Sequence, residues 1–264
     1  MASKRRRAAF GAVILVGAFV LGTGATTAGG SKPGSCVGGL LPDLQPVVPH
    51  HLQIQNTGGG STTATVAYGA NTGGAFDPDD ESCVLAAGAS CTLIQASGQW
   101  GANKYVGSAS VSASEDLVVI VNQLSLGSGS LGPYGTAYEG FDPAAGTNDI
   151  SNPLIMANNS GFFTGIQTMN VGGASCDVVI DYGPNTGGAF SPVDEEFTVA
   201  AGASKTILQN GPASGNGGSN DWGTNKYIGS AEVSGDGGCS LVTIVNEVAL
   251  LSGDTFFTYV GYNK

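Results

Sequence analysis

The stretch "YGANTGGAF" occupies residues 68–76, and "YGPNTGGAF" occupies 182–190. Eight of nine residues agree at a spacing of 114 positions. The match widens in both directions. Residues 68–95 and 182–209 align without a gap, with 18 of 28 identical. "WGANKYVGSASV" from Trp100 answers "WGTNKYIGSAEV" from Trp222, and "LVVIVN" from Leu117 answers "LVTIVN" from Leu241. Upstream, "QIQN" ending at Asn56 answers "QTMN" ending at Asn170. The offset grows from 114 to 122 across "GPASGNGGSND" in the second copy, and then to 124. Insertions confined to Gly/Ser/Asn-rich stretches are what surface loops tolerate. The chain therefore reads as two copies, 37–141 and 151–264, joined by a linker at 142–150. The period is long for a solenoid, so each copy is expected to own a core.

Within a copy the pattern is all-β. The second copy predicts strands near 154–157, 164–170, 176–182, 196–199, 205–208, 226–233, 241–248 and 255–262. Each is short, rich in β-branched and aromatic residues, and fenced by Gly, Asn, Ser or Pro. Eight short strands per copy suggest two tandem immunoglobulin-like β-sandwiches. Alternation assigns faces. Tyr227, Gly229, Ala231 and Val233 form one core side. Val242, Ile244, Asn246 and Val248 share another apolar face, which places Asn246, and Asn122 of the first copy, on the expected core side.

The N-terminus reads differently. A basic run at 4–7 precedes an apolar run at 8–25, then small residues, which is the pattern of a secretion signal over 1–28. Residues 29–36 would link it to the first copy. The whole chain carries a formal charge of −11. Without 1–28 it keeps five lysines against 20 acidic residues, or 5 − 20 = −15. Such a balance repels phosphate backbones and excludes nucleic acid as a partner. No membrane span is expected beyond the signal segment. Five cysteines fit an oxidising compartment.

Residues that could carry chemistry are few. His50 and His51 are adjacent, lack counterparts in the second copy, and read as an exposed element before a strand. No nucleophile elbow, metalloprotease helix or phosphate loop is present, so no catalytic residue is assigned. Asp77, Asp79, Asp80 and Glu81 offer oxygens that a calcium ion could use, although not at EF-hand spacing; the plain reading is a solvated turn. Calcium is the sole cofactor candidate. Trp100 and Trp222 either fill one end of each sandwich or, if exposed, stack on sugar rings. The shared Lys104/Asn122 and Lys226/Asn246, with Glu81 or Glu195, could form a Lys–Asn crosslink, but the lysines are expected to point outward and the asparagines inward. Cys176 and Cys239 each start a strand and are expected to bond, as are Cys83 and Cys91, which flank a strand-turn-strand. Cys36 is then the odd cysteine.

At "PLIMANNSGFFTGIQTMNVGG", "VAAGASKTILQ" and "NKYIGSAEV…LVTIVNEV" the chain resembles tandem β-sandwich repeats of secreted and cell-envelope bacterial proteins. Those repeats carry a "PGAS"-like turn; here it is "AAGAS", without the proline. The resemblance implies a location and a fold, and no reaction. The expected role is a secreted, non-enzymatic structural or adhesive module at the cell surface, with surface or matrix proteins, glycans or further copies of itself as partners. A carbohydrate-binding module built on the tryptophans is the alternative.

Overall fold

The structure, a computed structural model, describes residues 10–16, 50–95, 98–101, 103–125, 134–249 and 255–264, with the backbone alone at 10–16, 50, 125 and 134. Cys36, the linker at 29–36 and most of the expected signal lie outside these residues.

The described chain is nearly all antiparallel β-structure, in four sheets. In the first copy, β1 (Phe10–Val16), β6 (Gly107–Ala113), β3 (Thr62–Tyr68) and β4 (Glu81–Leu85) form one sheet in that order. The facing sheet runs β5 (Ser90–Ile94), β2 (His50–Asn56), β7 (Leu117–Ser125), β8 (Tyr134–Glu139). The second copy repeats both. Its first sheet is β12 (Glu195–Val199), β11 (Cys176–Tyr182), β14 (Tyr227–Gly235), β9 (Asp149–Ala157), extended by β17 (Tyr262–Asn263). Its second is β13 (Ser204–Leu208), β10 (Phe162–Asn170), β15 (Leu241–Ala249), β16 (Phe256–Val260). Each copy is thus a two-layer sandwich, and the strands expected from the sequence fall on those observed.

The strand order corrects one expectation. In an immunoglobulin domain the first strand pairs with the second, and the second with the fifth. Here the first strand of each copy pairs with the sixth, and the second lies between the fifth and seventh. The layers are those of a sandwich, but the connections are not those of the immunoglobulin fold.

Phe10–Val16 falls inside the expected secretion signal, yet it occupies the place in the first copy that β9 holds in the second. It pairs with β6 from Phe10↔Ala113 to Val16↔Gly107, as β9 pairs with β14. The two histidines open β2 rather than preceding it, and His51 is half-buried.

A buried cluster fills each sandwich. Leu52, Ile54, Val66, Val111, Val119 and Val121 belong to the first, and Ile150, Ile166, Ile180, Val233 and Val245 to the second. Met169, Val242 and Ile244 come from the second copy yet join the cluster of the first. They lie on the outer face of the β13-β10-β15-β16 sheet, opposite Ile166 and Val245. The face that alternation assigned to the second core is therefore the contact between copies. Leu241 and Val245 enter the core in its place.

Candidate functional site

The repeated motifs meet at one corner of each sandwich. "YGxNTGGAF" contributes its first and last residues, and "WGxNKY" contributes its own first and last. In the second copy Trp222 makes edge-on contacts with Tyr182 and Phe190, both at 5.3 Å between centroids, and with Tyr227 at 5.8 Å. In the first copy Trp100 meets Tyr68, Phe76 and Tyr105 at 4.9, 5.6 and 5.7 Å. Edge-to-face contacts suit aromatic quadrupoles and add to the burial of large rings.

This packing corrects the sugar-stacking expectation. Trp100 is 4% exposed and Trp222 is 0% exposed, so neither presents a ring face to solvent.

Asparagine holds the corner together. The Nδ2 of Asn185 donates to the carbonyls of Phe190 and Lys226, both at 2.8 Å, and its Oδ1 accepts from the N–H of Gly187 and Ile228. Asn71 makes the same four bonds, to Phe76, Lys104, Gly73 and Val106. An Asn-Thr-Gly-Gly stretch such as 185–188 suits left-handed backbone angles. None of 71–74 or 185–188 has a positive φ. Gly187 is needed for space instead: a Cβ there would lie 2.7 Å from Ile228 Cγ1.

At the opposite end, the terminal asparagine of "QxxN" repeats the device. Asn170 Nδ2 donates to Ala174 and Val199 while its Oδ1 accepts from Gly172. Asn56 does likewise with Gly60, Leu85, Ala86 and Gly58. Both asparagines are fully buried, and buried amides require such partners.

The acidic candidates do not converge. Glu81 faces inward, where its Oε2 accepts from Tyr68 Oη at 2.5 Å and Trp100 Nε1 at 3.3 Å. Asp77, Asp79 and Asp80 are exposed, and the Asp79 N–H donates to Gln99 Oε1. Among the described residues no three His, Cys, Asp or Glu side chains gather as metal ligands. Glu195, the counterpart of Glu81, is buried under the inserted loop and accepts from the Ser219 and Asn220 N–H groups and from Asn220 Nδ2. The same acid thus anchors an aromatic corner in one copy and a loop in the other.

Burial raises the pKa of five tyrosines, keeping their phenols neutral. Tyr68, Tyr105, Tyr182 and Tyr259 are pushed well above the usual value of 10.0, and Tyr227 is pushed up to about 12. Glu81 adds to the effect on Tyr68, and Glu195 to that on Tyr182. The hydroxyls of Tyr68, Tyr105, Tyr227 and Tyr259 donate hydrogen bonds, and that of Tyr182 accepts one from Gln209 Nε2.

Both expected disulfides are present. Cys83–Cys91 ties β4 to β5 across the sandwich, and Cys176–Cys239 ties β11 to the turn between β14 and β15. Two disulfides suggest an oxidising, extracellular environment. In the first copy a hydrogen bond between Thr62 and Ser114 stands where the second has its disulfide. Lys104 and Lys226 are exposed, while Asn246 is buried against the first copy and accepts from Thr258 Oγ1. The lysines and asparagines are not brought together for a crosslink.

The contact between copies is the one extended surface that sequence reasoning missed. Besides Met169, Val242 and Ile244, it includes hydrogen bonds from Gln167 Nε2 to the Gly107 carbonyl at 3.0 Å and from Ser108 Oγ to the Gly202 carbonyl at 2.7 Å. Gly69 allows this approach, since a Cβ there would lie 2.8 Å from the Gly202 oxygen. Among the described residues no helix is long and apolar enough to cross a membrane. Comparison with protein-family models, with curated proteins and with solved structures finds no significant match.

Proposed function

We propose that this chain is a secreted, non-enzymatic structural module of the cell surface or extracellular matrix, built from sandwiches made to stack. The observation that carries this reading is the use of the shared motifs. Their aromatic and asparagine side chains are consumed in packing and loop-tying, and the sheet of one copy is closed by the other. An enzyme or receptor domain typically keeps polar groups aimed into a concave site. The acidic composition, the disulfides and the leader-like 1–28 support export. The glycan-binding alternative has lost its tryptophans to the two cores.

Fractionation and immunogold microscopy of the source cells test the reading. Protein retained at the cell surface or in matrix supports it. Protein confined to the cytoplasm, with its cysteines reduced, overturns it.

A further inference from the structure

The contact between copies has two sides, and both recur on the free surfaces of the molecule. One side is the outer face of the β13-β10-β15-β16 sheet in the second copy. Its equivalent in the first copy is the outer face of β5-β2-β7-β8. Register places Ser90, Gln53, Val118, Ile120 and Asn122 where the second copy has Ser204, Gln167, Val242, Ile244 and Asn246. All five pairs are identical residues. The burial is opposite. Val242 and Ile244 are 2% and 0% exposed, whereas Val118 and Ile120 are 43% and 38% exposed and Ile94 beside them is 46% exposed.

The other side belongs to the first copy, where β1, β6 and β8 approach β10, β13 and β16. Its equivalent in the second copy is the side formed by β9, β14 and β16. That side carries Leu154, Phe257 and Tyr262 at 36%, 51% and 62% exposure. The polar contacts are duplicated as well. Gly229 and Ser230 stand where the first copy has Gly107 and Ser108, and Gly88 stands where the second has Gly202.

We propose that a second copy of this chain occupies the open face, the β9-β14-β16 side of one molecule closing on the β5-β2-β7-β8 face of the next. Gln53 would then donate to the Gly229 carbonyl, and Ser230 to the Gly88 carbonyl, as Gln167 and Ser108 do within the chain. The contact is heterologous: the two surfaces differ. A heterologous contact that does not close into a ring generates an open filament. Gln55 replaces Met169 on the open face, so this contact is more polar and more readily reversed than the internal one. The proposal rests on the structural reading above, but its test uses purified protein and is independent of location.

Both surfaces are exposed, so Ile120→Asp and Phe257→Asp leave each fold intact, which circular dichroism checks. The purified full chain should show a concentration-dependent ladder of elongated oligomers by sedimentation velocity and electron microscopy. Each variant alone should be monomeric. An equimolar mixture should give dimers and nothing longer, because one intact face and one intact side remain. Val84→Asp, at an exposed position on β4 away from both surfaces, should assemble like the parent. A parent that stays monomeric at high concentration, symmetric dimers that either substitution leaves intact, or a mixture that fails to dimerise would overturn the proposal. A monomeric parent recovered from cell surfaces would leave the structural reading standing and remove only this contact.

Discussion

A single asparagine side chain explains why the repeated nonapeptide is repeated. Its amide satisfies two carbonyls and two N–H groups that a Gly-rich loop would otherwise leave to water. Asn170, buried at the end of β10, works the same way with three partners. Replacing it with Ala leaves buried carbonyls without donors, at about 1–3 kcal/mol for each group stranded. Asn170→Ala should therefore lower the unfolding free energy by about 2–4 kcal/mol in urea titration; a loss no larger than that of an exposed asparagine would contradict the role. Tyrosine gives a second prediction at this scale. A phenol whose pKa is raised in the folded state binds its proton more tightly there than in the unfolded chain. Its contribution is complete below the unfolded value near 10.0 and is lost as pH rises through the folded one. Stability should be flat with respect to these groups up to about pH 9 and fall steeply between about pH 10 and 12, with tyrosinate absorbance appearing together with unfolding. Five tyrosines titrating freely near pH 10 in the folded protein would count against the buried corners.

At the scale of elements, the sequence was most readable where a strand has one wet face. Of the expected core set, Tyr227, Ala231 and Val233 are buried and Gly229 is half-buried, while Glu232 and Ser234 between and beyond them are exposed. β15 was misread for a physical reason. Both of its faces are buried, one in its own core and one against the first copy, so its residues form a continuous apolar run in which alternation has no meaning. β1 shows another ambiguity. "FGAVILV" is short and apolar, and such a run serves equally as part of an export signal or as a buried strand. The corners were legible because each motif begins and ends with an aromatic residue. The exchange of Tyr and Trp partners for loop N–H groups around Glu81 and Glu195 was not, since it depends on where the insertion folds. The disulfides also differ at this scale. Cys176–Cys239 closes a separation of 63 residues and Cys83–Cys91 one of 8. Chain-entropy arithmetic assigns about 4 kcal/mol to the first and about 2.5 kcal/mol to the second. Serine pairs at 176/239 should thus lower the denaturation midpoint more than serine pairs at 83/91; the reverse order would show that native-state packing, not loop closure, sets their worth.

Over the whole molecule, duplication has produced two sandwiches that share a face but not its environment. In the second copy the face is dry and closed by the first; in the first copy it is open. This asymmetry is the basis of the stacking account, and it can be examined with one substitution made at two equivalent positions. Ile244→Asp places a charge in the contact between copies, where an unpaired buried carboxylate costs several kcal/mol. Ile120→Asp places the same charge on the matching open face. Urea denaturation of the two variants beside the parent, at a concentration low enough to keep all three monomeric, is the most direct test. The account predicts a loss of about 3 kcal/mol or more for Ile244→Asp and a change within about 0.5 kcal/mol for Ile120→Asp. Equal effects at the two positions would contradict it, because the two faces would then have the same surroundings and the copies would not be stacked.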